Sequence, residues 1–284
     1  MPTKMKKIVS ASRRTDLPRF YYDWLQTVLQ NGEAQVINPR FKEKIYTVDL
    51  RPESVHSLVL WSKDFQNVLD NPGYTENYNL YFQYTINNYS RVLEPYVPDY
   101  RTTIKTLAGL LKKYRPEQFT IRFDPLILSN LGEKDPTPDK PGRARLMAFT
   151  NLCRDLNSLG MRNSRVTTSH VCLYPHVKKR LIASGIDMII LDEPKQLMFI
   201  QQMVEIAAKY SLTLFACANP VLEKVAGIQP GRCIDGQLLE QLFGGKVTRA
   251  GDSGQRLACG CSKSSDIGSY DKKCRFDCIY CYSK

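Results

Sequence analysis

The chain has 284 residues, 43% of them hydrophobic, with 40 Lys and Arg against 28 Asp and Glu, for a formal net charge of +12. Gly and Pro stand at 16 each, which excludes a disordered or collagen-like chain, and no apolar run is long enough to cross a bilayer. The positive balance favours a polyanionic partner, although the basic clusters "KMKK", "LKKYR" and "VKKR" are scattered rather than massed.

The N-terminal "SRRTDL" resembles a twin-arginine export signal, but "PRFYYDW" follows it where an apolar stretch would be needed. The N-terminus therefore reads as mature and the protein as cytoplasmic.

"KIVSAS" predicts a first strand, and "PRFYYDWLQTVLQNG" a helix with Pro18 near its start and Gly32 near its stop. "AQVINP", "KIYTVDL" and "HSLVLWS" read as strands. "KDFQNVLD" reads as a short helix ending at "NPG". "YNLYFQYTIN" is a long aromatic strand candidate. "YRTTIKTLAGLLKKYRPEQ" places Ile104, Leu107, Ala108 and Leu111 on one helical face. Strand "QFTIRFD" and helix "GRARLMAFTNLCRDLNSLG" follow, then strand "RVTTSHV", helix "YPHVKKRLIASG" and strand "IDMIILD". Helix "PKQLMFIQQMVEIAAKYS" and strand "LTLFACAN" come next, and "NPVLEKVAG" and "GQLLEQLFGG" supply short closing helices. "SNLGEKDPTPDKPG", residues 129–142, breaks the rhythm and reads as a lid or a tolerated surface insertion.

Strand–helix alternation predicts an α/β fold with a mainly parallel sheet. Roughly eight strands favour a (β/α) TIM-type barrel, complete or incomplete, over an open doubly wound sheet. The barrel is expected over residues 1–250, with residues 251–284 as a cysteine-rich metal-binding segment packed over its mouth.

Ligands of such barrels meet the C-terminal strand ends. Here those ends carry Arg13, Arg14 and Asp16, then Lys63, Asn87, Arg122, Asp124 and Asn219, all candidates for cofactor binding. Arg13, Arg14 and Arg122 suit forked hydrogen bonds to a carboxylate or phosphate. Asp16 and Asp124 suit an amine or a ribose hydroxyl. For each, the competing reading is an internal salt bridge that fixes a loop. His170 reads as a satisfied core or loop histidine.

Nine cysteines are many for a reducing compartment, where crowded thiols point to metal or catalysis. Cys153 and Cys172 read as small core residues. Five others, Cys259, Cys261, Cys274, Cys278 and Cys281, fall within the last 26 residues. The segment "CRFDCIYC" has C-x3-C-x2-C spacing, which lets three thiolates converge on a cubane iron–sulfur cluster and leaves one iron open. Cys259 and Cys261 could bind a second metal with outside partners, close the open iron, or join the other three around zinc.

The tail motif resembles the radical S-adenosylmethionine (SAM) superfamily, whose hallmark is C-x3-C-x-aromatic-C, with Tyr280 in the aromatic place. "CIYCY" is further similar to the spore-photoproduct-lyase branch. The whole chain resembles an uncharacterised bacterial family that begins with an "SRRTD"-type segment. That family ends in a C-x-C…DIG-x-Y…C-x3-C-x-Y-C-Y tail, matched here by "CGCSKSSDIGSYDKKCRFDCIYCY". In radical SAM enzymes the cysteine loop follows the first strand; here it comes last. Barrel closure would set the last strand beside the first, so "SRRTD" is expected near the cluster.

The radical SAM resemblance implies a 4Fe–4S cluster on Cys274, Cys278 and Cys281, SAM on the open iron, and radical chemistry with an electron-donor protein. The basic balance suggests a nucleic-acid or nucleotide substrate. No membrane partner is expected. The alternative is a non-radical protein with a structural iron–sulfur or zinc site that binds nucleic acid. A third reading is a barrel hydrolase or lyase acting through Arg, Asp and His at the mouth.

Overall fold

β-branched and aromatic runs in this chain become short strands, and helices separate most of them. The computed structural model describes residues 5–39, 41, 43–131 and 142–283. The first elements are β1 (Lys7–Ala11), α1 (Leu17–Phe20), α2 (Tyr22–Asn31), β2 (Glu33–Ile37), β3 (Ile45–Asp49), β4 (Val55–Ser62) and α3 (Gln66–Asp70). Then come β5 (Leu80–Thr85), α4 (Tyr100–Leu110), β6 (Phe119–Arg122), α5 (Arg143–Ser158) and β7 (Arg165–Thr168). The remaining elements are α6 (Pro175–Ala183), α7 (Glu193–Lys209), β8 (Thr213–Cys217), β9 (Gln229–Gly231), α8 (Gly236–Phe243) and β10 (Ser265–Asp266).

Two compact units divide the chain, each assembled from three segments: 1–84, 105–119 and 232–275 in the first, and 85–104, 120–231 and 276–284 in the second. The chain is mixed α/β with eight parallel-sheet strands. In the first unit they run in the order β10, β1, β4, β5, and every pairing is parallel. In the second the order is β6, β7, β8, β9, again all parallel.

Parallel strands covered on both faces read as continuous apolar runs rather than alternations. β4 fits this, with seven of its eight residues buried. Beside it, Phe65 meets Phe82 and Tyr84 edge-on at 5.3 and 4.9 Å, and Phe82 stacks on Phe119 at 4.6 Å. Each such buried ring contributes about 1.5–3 kcal/mol through area removed from water. In the second unit Phe123 packs on Phe149 at 5.1 Å. α5 and α7 hold Leu152, Leu156, Ile200 and Met203 at 0–1% exposure.

Most expected elements are present, "AQVINP" and "KIYTVDL" among them as β2 and β3, which pair as an antiparallel hairpin outside the parallel sheet. Four expectations need correcting. The "PRFYYDWLQTVLQNG" helix breaks at Tyr21 into α1 and α2. "IDMIILD" makes one isolated bridge, Met188 to Ser129, and no strand; Ile190 is 74% exposed. Its backbone bonds to the neighbouring segment through the Asn130 N–H to the Asp187 carbonyl, 3.0 Å, and the Ile189 N–H to the Leu128 carbonyl, 2.8 Å, too short a pairing among the described residues to make a strand. "NPVLEKVAG" closes as a single 3-10 turn at Leu222–Lys224 rather than a helix. Cys172 is exposed, not core, whereas Cys153 is buried as expected. Of the segment read as a lid or insertion, residues 132–141 lie outside the described residues. No helix among the described residues is long and apolar enough to cross a membrane.

Candidate functional site

In the first unit the "SRRTD" turn follows β1 directly, and β10 lies against β1 with Val9 opposite Ser265 and Ser10 opposite Asp266. That register aims Asp266 at the turn. Its carboxylate accepts from Ser10 Oγ at 2.9 Å, Ser12 Oγ at 2.6 Å, the Arg13 N–H at 2.9 Å and the Gly268 N–H at 3.0 Å. Arg13 Nε stands 3.7 Å from the same carboxylate, and Arg13 Nη2 donates to Asp252 at 3.0 Å. Burial alone would lower the Arg13 pKa; Asp266 and Asp252 outweigh it and hold the pKa above its ordinary value. Arg14 Nη1 donates to the Gly268 carbonyl at 2.9 Å. A Cβ at Gly268 would sit 1.9 Å from Ser12 Oγ, so only glycine permits this approach. "SRRTD" and "DIGSY", far apart in sequence, thus interlock.

Asp16 caps α1, accepting from the Arg19 N–H at 3.1 Å, and also takes Ser62 Oγ at 2.7 Å and the Lys63 N–H at 3.0 Å. Burial raises its pKa to about 7, with Asp64 adding to the rise against those hydrogen bonds. The folded-state pKa exceeds the unfolded value of 3.8, so the folded form holds an extra proton between the two. Relative to Asp16→Asn, the native protein should be most stable below about pH 4. It should lose about 4 kcal/mol as the pH rises through 7. Denaturant midpoints across that range check this, and a pH-independent difference between the two proteins would contradict it.

Further along the first unit, Cys233, Cys259 and Cys261 meet. Cys261 is 2% exposed and makes hydrogen-bond contact with both Cys233 and Cys259. The Ile234 N–H donates to Cys261 Sγ at 3.5 Å, and the Ser262 N–H donates to the Ile234 carbonyl at 2.8 Å. Ser262 Oγ accepts from the Gly236 N–H at 3.0 Å, pinning this loop to the start of α8. The Cys261 contact lowers the Cys259 pKa to about 6, while Cys261 itself is pushed up by Cys233, Cys259 and burial. Cys233 is absent from the sequence-derived site because it lies far from the tail cysteines in the chain.

In the second unit the tail segment is fastened by its backbone. The Ile279 N–H donates to the Leu93 carbonyl at 3.1 Å, and Arg180 donates to the carbonyls of Ile279, at 2.9 Å, and Cys281. The Cys281 N–H donates to the Cys278 carbonyl at 3.1 Å, so "CIYC" closes a tight turn with one thiol at each end. Tyr280 is 7% exposed; its hydroxyl donates to Glu94 and accepts from Asn87 Nδ2 at 3.1 Å. Burial, then Glu94, holds the Tyr280 pKa well above its ordinary value, so the hydroxyl stays protonated. Tyr280→Phe leaves the buried Glu94 one donor short. It should destabilise the protein by about 1–3 kcal/mol and speed proteolytic cleavage in the tail, read by denaturant melts and limited proteolysis.

Around Tyr280 sit other sequence-derived residues. Arg122 pairs with Asp124, which also accepts from Ser169 Oγ, and Asn87 Nδ2 donates to the Asp124 carbonyl at 3.1 Å. Arg145, unmarked in the sequence, is 8% exposed and lies 4.0 Å from both the Tyr89 and Phe123 ring centroids. Its Nη1 donates to the Asn87 carbonyl at 2.7 Å. Asn87 Oδ1 and Arg145 Nε and Nη2 have no hydrogen-bond partner among the described residues. A cavity of about 200 Å³ is lined by Asn87, Tyr89, Arg91, Glu94 and Asp99. That is below the usual range for a small-molecule site, so it suits a small polar group rather than a whole cofactor. Burial lowers the His170 pKa and keeps the ring neutral. Asn219 opens the 3-10 turn after β8, its carbonyl accepting from the Leu222 N–H at 3.1 Å.

The first unit thus brings together Arg13, Arg14, Asp16 and Lys63, and the second Asn87, Arg122 and Asp124. Arg13, Asp16, Arg122 and Asp124 engage in internal ion pairs and caps, the competing reading given for them above. Among the described residues no group of three or more His, Cys, Asp or Glu side chains is placed to hold a metal ion.

These features define a mixed α/β protein with its thiols crowded into late loops. The model of a domain of unknown function, DUF1848, matches residues 8–283, and the chain belongs to that family. No curated protein and no solved structure matches the chain.

Proposed function

We propose that the chain is an iron–sulfur enzyme of the radical SAM type, built on a (β/α) barrel, with Cys274, Cys278 and Cys281 as cluster ligands. The observation that carries this reading is the pairing of β10 with β1, through which Asp266 grips the "SRRTD" turn. Residues 267–275 therefore run on from the C-terminal end of β1, where barrels of this kind do their chemistry. Tyr21 donates to the Lys273 carbonyl at 2.9 Å, and Lys272 Nζ lies 4.5 Å from the Trp24 ring centroid, which anchors the chain entering Cys274.

The donor chemistry supports the group. Soft thiolates at C-x3-C-x2-C spacing suit an iron–sulfur cluster, and the "CIYC" turn carries two of them at its ends. When bound, a 4Fe–4S cluster with SAM supplies one-electron cleavage of SAM. The chain's own residues orient and exclude water. Tyr280 and Glu94 lock the turn, Arg180 fixes its carbonyls, and buried Phe276 and Cys278 keep solvent away. Arg14 and Lys63, at strand ends of the first unit, are candidates for an anionic group of SAM or of a nucleotide-like substrate, with an electron-donor protein as partner.

Anaerobic purification followed by iron and sulfide analysis tests the cluster. Electron paramagnetic resonance of the reduced protein, with and without SAM, tests the open iron. A SAM-dependent change in the spectrum is expected; a spectrum indifferent to SAM would remove the radical step.

A further inference from the structure

We infer that Arg145 and Asn87, in the second unit, form a carboxylate-binding site, which takes a small hydroxy acid. The inference uses none of the cysteines and does not rest on the tail cluster.

Arg145 lies on α5, and three contacts fix its guanidinium. The Tyr89 and Phe123 ring centroids each stand 4.0 Å from its central carbon, and Nη1 donates to the Asn87 carbonyl at 2.7 Å. The remaining donors, on Nε and Nη2, have no hydrogen-bond partner among the described residues. Those two nitrogens form the side-on edge of the group, the fork that matches the two oxygens of a carboxylate. Arg13 and Arg122 differ: the first has Asp252 and Asp266, the second Asp124. Arg145 is 8% exposed, and among the described residues no carboxylate reaches it at hydrogen-bond distance. Glu94 is instead taken up by Tyr280 and Asn87. A buried cation with open donors is costly, and an anion from outside the chain removes that cost.

Asn87 supplies the second half. Its Nδ2 donates to Glu94 at 3.2 Å, and to the Asp124 carbonyl and Tyr280 Oη at 3.1 Å each. Those acceptors set the orientation of the amide. Its Oδ1 is left without a donor, although the residue is only 2% exposed. Asn87 and Tyr89, the two residues that hold Arg145 from this segment, both line the cavity of about 200 Å³. An open acceptor and an open cationic fork therefore stand one residue apart beside enclosed space. Water satisfies such atoms singly, but it brings no charge to offset the guanidinium. A small acid with a neighbouring hydroxyl meets all three open atoms at once. An ammonium in place of the hydroxyl would set a second cation beside Arg145, so a neutral donor is favoured. The Asn87 bond to Tyr280 puts the ligand beside the tail turn.

The test titrates the full chain with L-lactate by calorimetry, beside acetate, 1,2-propanediol, alanine and inorganic phosphate. Lactate should bind, acetate about tenfold more weakly for want of the hydroxyl, and propanediol not at all. Arg145→Lys keeps the charge but loses the fork, and should weaken lactate about tenfold or more. Circular dichroism shows whether that variant folds. Crystals of the native protein soaked in lactate give a second reading that needs no variant. Carboxylate density against Nε and Nη2, with the hydroxyl on Asn87 Oδ1, is expected there. Water alone at that edge overturns the inference, as does density in the crystal without binding in solution. Tighter binding of phosphate or alanine than of lactate overturns it too, as does undiminished lactate binding in a folded Arg145→Lys. A chain without the tail cluster should give the same lactate titration, so the two proposals fail separately.

Discussion

On the proposed reading, replacing Cys278 and Cys281 together by Ser should remove about four iron and four sulfide per chain and abolish SAM cleavage. The expectation follows from where the two thiols stand. Both cap the "CIYC" turn, whose Cys281 N–H to Cys278 carbonyl bond of 3.1 Å needs no metal. Tyr280 and Arg180 hold the turn independently of the sulfurs. The double variant should therefore keep its far-ultraviolet circular dichroism and a denaturant midpoint near that of the native protein while its brown absorbance disappears. A double variant that retains full iron and sulfide would show that the tail cysteines are not ligands. One that unfolds would show that the thiols hold the tail in place, and would send the test to Cys281→Ser alone, whose side chain is only part-buried.

Asp266→Ala should destabilise the protein by about 3–5 kcal/mol, the range for removing one member of a buried charge network. Four donors converge on this carboxylate, two hydroxyls and two backbone N–H groups, and Asp266 is 6% exposed. Alanine leaves all of them facing a void, with the Arg13 guanidinium beside it. For a chain of this size the melting temperature should fall by about 10 °C. Asp252→Ala makes the comparison sharp, because that carboxylate shares Arg13 but otherwise meets only exposed donors, the Gly254 N–H at 3.1 Å and Gln255 Nε2 at 3.4 Å. It should lose less than half as much. A change under about 1 kcal/mol for Asp266→Ala would mean that water enters and satisfies the donors.

The sequence reveals the long apolar runs and hides the short pairings. β1, β4, β5 and β8 carry enough Val, Ile, Leu and Phe to announce themselves, and α5 and α7 show helical spacing over four turns. β9 is "QPG" and β10 is "SD", three and two residues with no strand propensity at all. Their neighbours impose the strand conformation. The same gap hides Asp266, which reads as one acid in a polar loop until β10 is placed against β1. Arg145 is hidden for a different reason: a charged residue in a helical pattern reads as solvated, and only the rings of Tyr89 and Phe123 reveal it as buried. The tail cysteines were legible because they lie within eight residues. Cys233 was not, because its partners Cys259 and Cys261 lie on the far side of α8. Proximity in space without proximity in sequence leaves no local signature.

The placement of β1 between β4 and β10 sets a timetable for synthesis. One flank of β1 can be covered once Ser62 has been made, but the other must wait roughly 200 residues for Ser265 and Asp266. At about 5–20 residues per second that delay is roughly 10–40 s. Throughout it the nascent chain carries an open sheet margin and an Arg13 without its aspartates. Such a margin is a template for mispairing with a neighbouring chain. The growing chain therefore exposes that margin until nearly its last residues are made, and slow translation should lower the yield of folded product.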